Sequence, residues 1–345
     1  MFDLRELRIP VIQAPMAGGP STPALVAAVC EAGGMGFLAA GYKTPHALAG
    51  HIDAVRTATA APFGVNVFVP RPLPDTTVVD AYRRELSAEA ERYGVALPDP
   101  DPADDDHWEG KIKLLTEQPV PVVSFTFGAP PAEVVSELHR SGSYLIATVT
   151  SLPEALLAAG TGVDALCVQG PEAGAHRGTY DVAADPGTTP LAGLLTEIGS
   201  AITLPVIAAG GLATGSAVAA ALRAGSRAVQ VGTAYLRTPE SGANAAYKAA
   251  LGDPRFGPAI ITRAFSGRPA RGLRNRFTDA HHATAPPAYP LVNQLTQPLR
   301  AAAAARGDAD GLALWAGSGY RQATEAPAGA VTIELWESAQ AELAH

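Results

Sequence analysis

The chain has 345 residues, 47% of them hydrophobic and 17% charged, with 35 glycines and 30 prolines. That apolar fraction excludes global disorder, and the length suits one large α/β barrel or two modest domains. Lys+Arg 25 against Asp+Glu 33 leaves a net charge of −8, which argues against a nucleic-acid binder or polybasic membrane attachment.

In chain order, short apolar runs alternate with Ala/Leu-rich helical patterns. The opening segment MFDLRELRIPVIQAPM shows no basic-then-apolar leader, and no apolar run reaches membrane-spanning length, so a cytoplasmic protein is expected. The predicted strands are 11–16, 36–40, 63–68, 121–127, 144–149, 165–170, 205–211 and 228–233. They are continuously apolar, as strands covered on both faces are. Helix starts are marked by Ser21-Thr22-Pro23, Ser151-Leu152-Pro153-Glu154 and Thr214-Gly215-Ser216. Eight such alternations predict a TIM (β/α)8 barrel over residues 1–233. A doubly wound sheet would usually carry GxGxxG after its first strand, and none occurs there.

Two stretches break the rhythm. Residues 70–119 open on Pro70-Arg71-Pro72-Leu73-Pro74 and read as an insertion after strand three, with one helix near 76–93 and a solvated acidic loop around Asp104-Asp105-Asp106-His107. Residues 234–345 read as a helical extension that completes the barrel and covers its mouth.

In such a barrel the site is built by loops at the C-terminal strand ends. Gly210 and Gly211 after strand seven, with Gly232 and Thr233 after strand eight, match a phosphate cup of close-approaching backbone N–H groups. Gln13, Asn66, Gln169 and Gln230 fall in or beside strands, where converging amides suit a flat heterocycle, a flavin or a uracil-like ligand alike. His176 lies in a glycine-rich mouth loop and is the candidate hydrogen-bonding or acid–base group. His281-His282 reads as an exposed pair with no third ligand at metal spacing, and no metal site is expected. Cys30 and Cys167 sit in apolar stretches and read as small buried hydrophobes. GxxxxGK[ST], HExxH, CxxC and GxSxG are all absent, which disfavours ATP, zinc-hydrolase and α/β-hydrolase chemistry.

The segments QAPMAGGPSTPALVAAVCEAGGMGFLAAGY, FGVNVFVP, VQGPEAGAHRGTY, IAAGGLATG, VQVGTAYLRTPES, FSGRPARGLRNRF and ALWAGSGYRQA together resemble nitronate monooxygenase, formerly 2-nitropropane dioxygenase, and its bacterial class I group most. The resemblance implies a barrel holding non-covalent FMN that oxidises alkyl nitronates such as propionate 3-nitronate with O2, through a flavin semiquinone and without nicotinamide. It implies FMN contacts from Ala14, Met16, Asn66, Gln169, Gly174, Gly210, Gly211, Gln230, Val231, Gly232 and Thr233, an active-site role for His176, and a substrate-side position for Tyr320. One departure stands out: where the family motif usually reads EAGGHRG, Ala175 replaces the second glycine, and its methyl would narrow the pocket or forbid a positive φ.

The small-molecule nitronate and O2 are the implied partners, in a monomer or homodimer. The main rival is an NAD(P)H-dependent FMN enoyl-thioester or quinone reductase of the same superfamily. A flavin-free phosphosugar lyase or isomerase is disfavoured because none of Lys43, Lys111, Lys113 and Lys248 lies at a predicted strand end. A non-catalytic flavin-binding scaffold would have no use for a histidine-bearing mouth loop.

Overall fold

The structure is a computed structural model that describes residues 2–70 and 76–345, so all but the first residue of the Pro-Arg-Pro-Leu-Pro run lies outside the described residues. Its centre is a closed barrel of eight parallel strands, β1 (Val11–Gln13), β2 (Met35–Ala39), β3 (Gly64–Phe68), β4 (Val122–Thr126), β5 (Tyr144–Val149), β6 (Ala165–Gln169), β8 (Val206–Ala209) and β9 (Ala228–Val231). Closure is made by β1 pairing with β9, Ile12 opposite Gln230. The ends differ from the sequence expectation for local reasons. β1 stops before Pro15, which has no N–H to pair, and β8 stops before Gly210 and Gly211, whose φ of 118° and 71° leave the strand region.

Helices α1 (Pro23–Ala32), α2 (Pro45–Ala58), α6 (Ala132–Arg140), α7 (Leu152–Gly160), α8 (Leu191–Ala201) and α9 (Gly215–Arg223) surround the barrel. The expected caps form: the hydroxyls of Thr22, Ser151 and Thr214 accept from the N–H groups of Leu25, Glu154 and Ala217. Inside the barrel, Ile12, Met35, Phe37, Val122, Ile146, Cys167 and Ile207 form one packed layer system, closed below by Leu4 of a 3-10 turn (Leu4–Glu6). Both cysteines are buried, and burial pushes the Cys30 thiol up to about 11 and Cys167 to about 12.

The insertion holds α3 (Thr77–Glu85), α4 (Ser87–Tyr93) and α5 (Trp108–Glu117), splitting the single expected helix at Leu86. After β9 come α10 (Ala245–Gly252), β10 (Ala259–Thr262), β11 (Ala270–Leu273), α11 (Arg276–His281), α12 (Leu291–Ala305) and α13 (Ala328–Leu343). The extension is therefore not wholly helical. β10 and β11 form an antiparallel sheet with β7 (Ala175–His176), a two-residue strand in the histidine loop. Insertion and extension share a second hydrophobic core, with Val79, Tyr82 and Leu86 packed among Phe265, Phe277, Leu291 and Leu295. Glu89 and Arg276 pair across it. His281, expected to be exposed, is buried there with Nδ1 2.7 Å from Glu85 Oε1. α13 returns to the barrel and packs its Ala328–Val331–Leu335–Ala339 side between α1 and α9. Among the described residues no helix is long and apolar enough to cross a membrane.

Candidate active site

A cavity of about 580 Å³ opens at the C-terminal ends of the strands. Its wall includes Ala14, Met16, Asn66, Gln169, Gly174, Ala175, His176, Gly210, Gly211, Gln230, Val231, Gly232 and Thr233, so the topology gathers these separated loops into one place. Tyr320 is not on this wall. It is buried in the second core, and the tail reaches the cavity instead through Trp315, Gly317 and Gly319.

The glycine loops form the first side. Among the described residues, the N–H groups of Gly211, Gly232 and Thr233 have no protein acceptor, so three backbone donors are left for a ligand. The Thr233 hydroxyl accepts from Gly317 N–H at 3.0 Å and draws the tail over the loop. Gly174 makes that approach possible, because a Cβ there would stand 2.5 Å from the Gly317 nitrogen.

The four amides part company. Gln13 is fully buried and off the wall, its side chain donating to Ser21 Oγ and accepting from Phe37 N–H, so it braces the first loop. Gln169 is also committed: Nε2 donates to the His176 carbonyl at 3.0 Å while Oε1 accepts from Gly178 N–H at 2.8 Å. It shapes the histidine loop. Asn66 donates to Ser124 and Thr126. The Gln230 carboxamide makes no hydrogen bond among the described residues and is free to meet a ligand.

His176 forms the other side with an aromatic set the sequence did not suggest. Phe127, Tyr289 and Trp315 surround its ring at centroid distances of 5.8, 6.0 and 5.5 Å. Nε2 lies 2.9 Å from Ser266 Oγ, which also accepts from Arg268 N–H. Burial, then the nearby Arg268 and Arg300 charges, lower the His176 pKa to about 3, so the imidazole is neutral at physiological pH. The Arg268 guanidinium lies 3.9 Å over the Phe127 ring and donates to the Thr179 carbonyl at 2.6 Å. Arg300, on α12, lines the cavity with Nη2 held by Asn293. Among the described residues the wall holds that one cation and no carboxylate, although the whole chain carries −8. Such a lining favours an anionic ligand.

The residues that sequence reasoning missed, Tyr42, Phe127, Ser266, Arg268, Tyr289, Arg300 and Trp315, come from six separate segments. Ser266 and Arg268 lie inside FSGRPARGL and Trp315 inside ALWAGSGYRQA, so these stretches carried a signal without assigning a role to the residue. Ala175 has the positive φ that its methyl disfavours, 61°, and reaches the cavity in strand β7 opposite Arg271. The methyl is therefore accommodated at a left-handed φ rather than excluding it.

A closed parallel barrel with a histidine-bearing, anion-favouring cavity at its strand ends has the layout of a barrel enzyme. The sequence matches the nitronate monooxygenase family over residues 2–337, and the chain belongs to this family of oxidoreductases. It is 37% identical to a probable nitronate monooxygenase of Staphylococcus aureus (strain Newman) over 97% of this chain and 95% of that one. It is similar in structure to the nitroalkane oxidase of Streptomyces ansochromogenes, with a TM-score of 0.93, 48% identity and coverage of 98% and 96%. FabK from Thermotoga maritima also superimposes, with a TM-score of 0.78, 26% identity and coverage of 99% and 96%.

Proposed function

We propose that the protein oxidises alkyl nitronates, such as propionate 3-nitronate, with FMN and O2, giving the carbonyl compound with release of nitrite or nitrate. The observation that carries this reading is the two-sided cavity, with unspent backbone donors facing one way and a neutral histidine with Arg300 facing the other. The residues present fit FMN. Gly211, Gly232 and Thr233 would offer N–H groups to its phosphate, while Gln230 would offer its amide, and Asn66 its carbonyl oxygen, to the polar edge of its ring. When bound, FMN supplies the electron-transfer chemistry that couples substrate to O2.

The chain's own residues supply binding and orientation. A nitronate is already deprotonated at carbon, so the site needs no strong base. With the Ser266 hydroxyl proton turned from the Arg268 carbonyl, 3.3 Å away, to His176 Nε2, the ring carries its proton on Nδ1 and leaves Nδ1–H for a nitronate oxygen; Nδ1 makes no hydrogen bond among the described residues. Arg300 adds positive charge on the same wall. Phe127, Tyr289 and Trp315 exclude water around the imidazole and strengthen that hydrogen bond.

The test is anaerobic mixing of the FMN-loaded protein with propionate 3-nitronate and, separately, with NADH. Rapid change of the flavin absorbance by the nitronate and none by NADH is the expected result. Bleaching by NADH alone would replace this reading with the NAD(P)H-dependent reductase alternative.

A further inference from the structure

The acidic loop of the insertion does more than solvate the surface. Most of it is exposed, yet the Asp106 side chain is 19% exposed and pairs at 2.7 Å with Lys111 Nζ, whose side chain is 1% exposed. A buried ion pair contributes little net stability once desolvation is counted, so its retention asks for another reason. The second carboxylate oxygen supplies one. Asp106 Oδ1 accepts from the backbone N–H of Tyr42 at 2.8 Å.

Tyr42 follows β2, lines the cavity and has φ 66°, a left-handed conformation that costs a non-glycine residue about 1–2 kcal/mol. Asp106 and His107 are left-handed as well, with φ 59° and 55°, so the strain lies on both sides of the hydrogen bond. The Tyr42 hydroxyl lies 3.4 Å from that of Tyr289, whose ring packs on His176, and its own ring packs edge-on to Phe68. The same loop also grips α12. Gln294 accepts from Asp101 N–H at 2.7 Å and donates to Asp104 Oδ2 at 2.9 Å, on the helix that carries Arg300.

We infer that Asp106, braced by Lys111, is a positioning residue for the substrate side of the cavity: it holds the Tyr42 backbone left-handed and so sets where the phenol stands against Tyr289. This rests on the nitronate reading of the site, and it assigns the insertion a part in substrate fit. Asp106 touches neither His176 nor the glycine loops, so its removal should change KM and spare both flavin uptake and kcat.

Two double variants separate the hydrogen bond from the ion pair. D106N/K111M keeps the oxygen that accepts from Tyr42, D106A/K111M does not, and neither leaves a buried charge unpaired. With propionate 3-nitronate, D106A/K111M should raise KM about fivefold with kcat within about twofold of the parent, as misplacement of a binding group does. D106N/K111M should stay near the parent. Equal KM values in the two variants would overturn the inference. A second readout needs no turnover. In protein labelled with [15N]tyrosine, and with Tyr42 assigned through Y42F, the Tyr42 amide should be protected from exchange in the parent and D106N/K111M and unprotected in D106A/K111M. Equal protection in both variants would also overturn it. Failure of the parent itself to oxidise nitronates would remove the functional reading, and the amide would then decide the clamp.

Discussion

The two sides of the cavity are built on different principles. The glycine side reaches its shape without strain, because Gly210 and Gly211 adopt positive φ at no steric cost and leave backbone donors free. The histidine side does the opposite, placing the non-glycine residues Tyr42, Phe127 and Ala175 at positive φ, all on the cavity wall. Strain of that kind persists only where surrounding contacts over-determine it, here the Asp106 hydrogen bond, the Arg268 guanidinium over Phe127 and the β7–β11 pairing. A conserved-chemistry ligand such as a phosphate can be held by backbone alone, whereas discrimination among substrates calls for side chains fixed in uncommon places.

The sharpest way to break this division is to remove one function from each side. H176A should retain FMN and lose about a hundredfold or more in kcat/KM for a nitronate, the range expected when a directed donor in a dry site is lost. Loss of flavin from that variant would show that the two sides are one unit. G232V reverses the experiment. A Cβ at Gly232 would meet only ordinary contacts, 3.4 Å from Ala14 Cβ and 3.7 Å from Met16 Sδ, so the fold should stand. FMN should bind at least about tenfold more weakly as the valine crowds the backbone donors, measured by flavin fluorescence titration. R300M should have a smaller effect than either, with KM raised about fivefold through loss of one charged partner and kcat nearly unchanged.

Legibility in the sequence followed the same line. Gly210, Gly211, Gly232 and Thr233 were readable because a glycine turn after an apolar run is a local signal, and His176 because its loop was glycine-rich. Barrel strands and the caps at Thr22, Ser151 and Thr214 were local in the same sense. Tyr42, Tyr289 and Arg300 meet only because the insertion and α12 fold over the barrel, and no periodicity in any one segment reports such a meeting. Gln13 misled for a related reason, since an amide in a strand looks alike whether it faces a ligand or braces a loop. The hairpin β10–β11 escaped notice because its short, mixed strands sit in a stretch rich in glycine and arginine.

The neutral state of His176 sharpens the contrast through pH. Its folded pKa of about 3 lies below the ordinary histidine value of 6.5, so the free enzyme does not protonate this ring in a usual assay. The profile of kcat/KM should therefore be flat from about pH 5 to 8 as far as His176 is concerned. Stability follows the same sign. The unfolded chain binds the proton first, so this histidine favours unfolding progressively as pH falls from 6.5 toward 3. An inflection between pH 6 and 7 that disappears in H176Q would overturn the assignment of a neutral ring.

The smallest expected effect is at Ala175, and it separates strain from fit. Its φ of 61° is maintained by antiparallel pairing with Arg271, so A175G should keep the same backbone. Relief of the left-handed strain is worth about 1 kcal/mol, and the greater freedom of glycine in the unfolded chain offsets about as much. Thermal stability should accordingly move by no more than about 2 °C. What changes is the wall, which loses one methyl beside His176. KM for a branched nitronate should fall about twofold to threefold while that for a linear one holds, because a methyl that only fills space is felt by the larger substrate. A drop of several degrees with no change in selectivity would mean that the methyl packs against the protein rather than facing the substrate, and that this strained residue serves the fold.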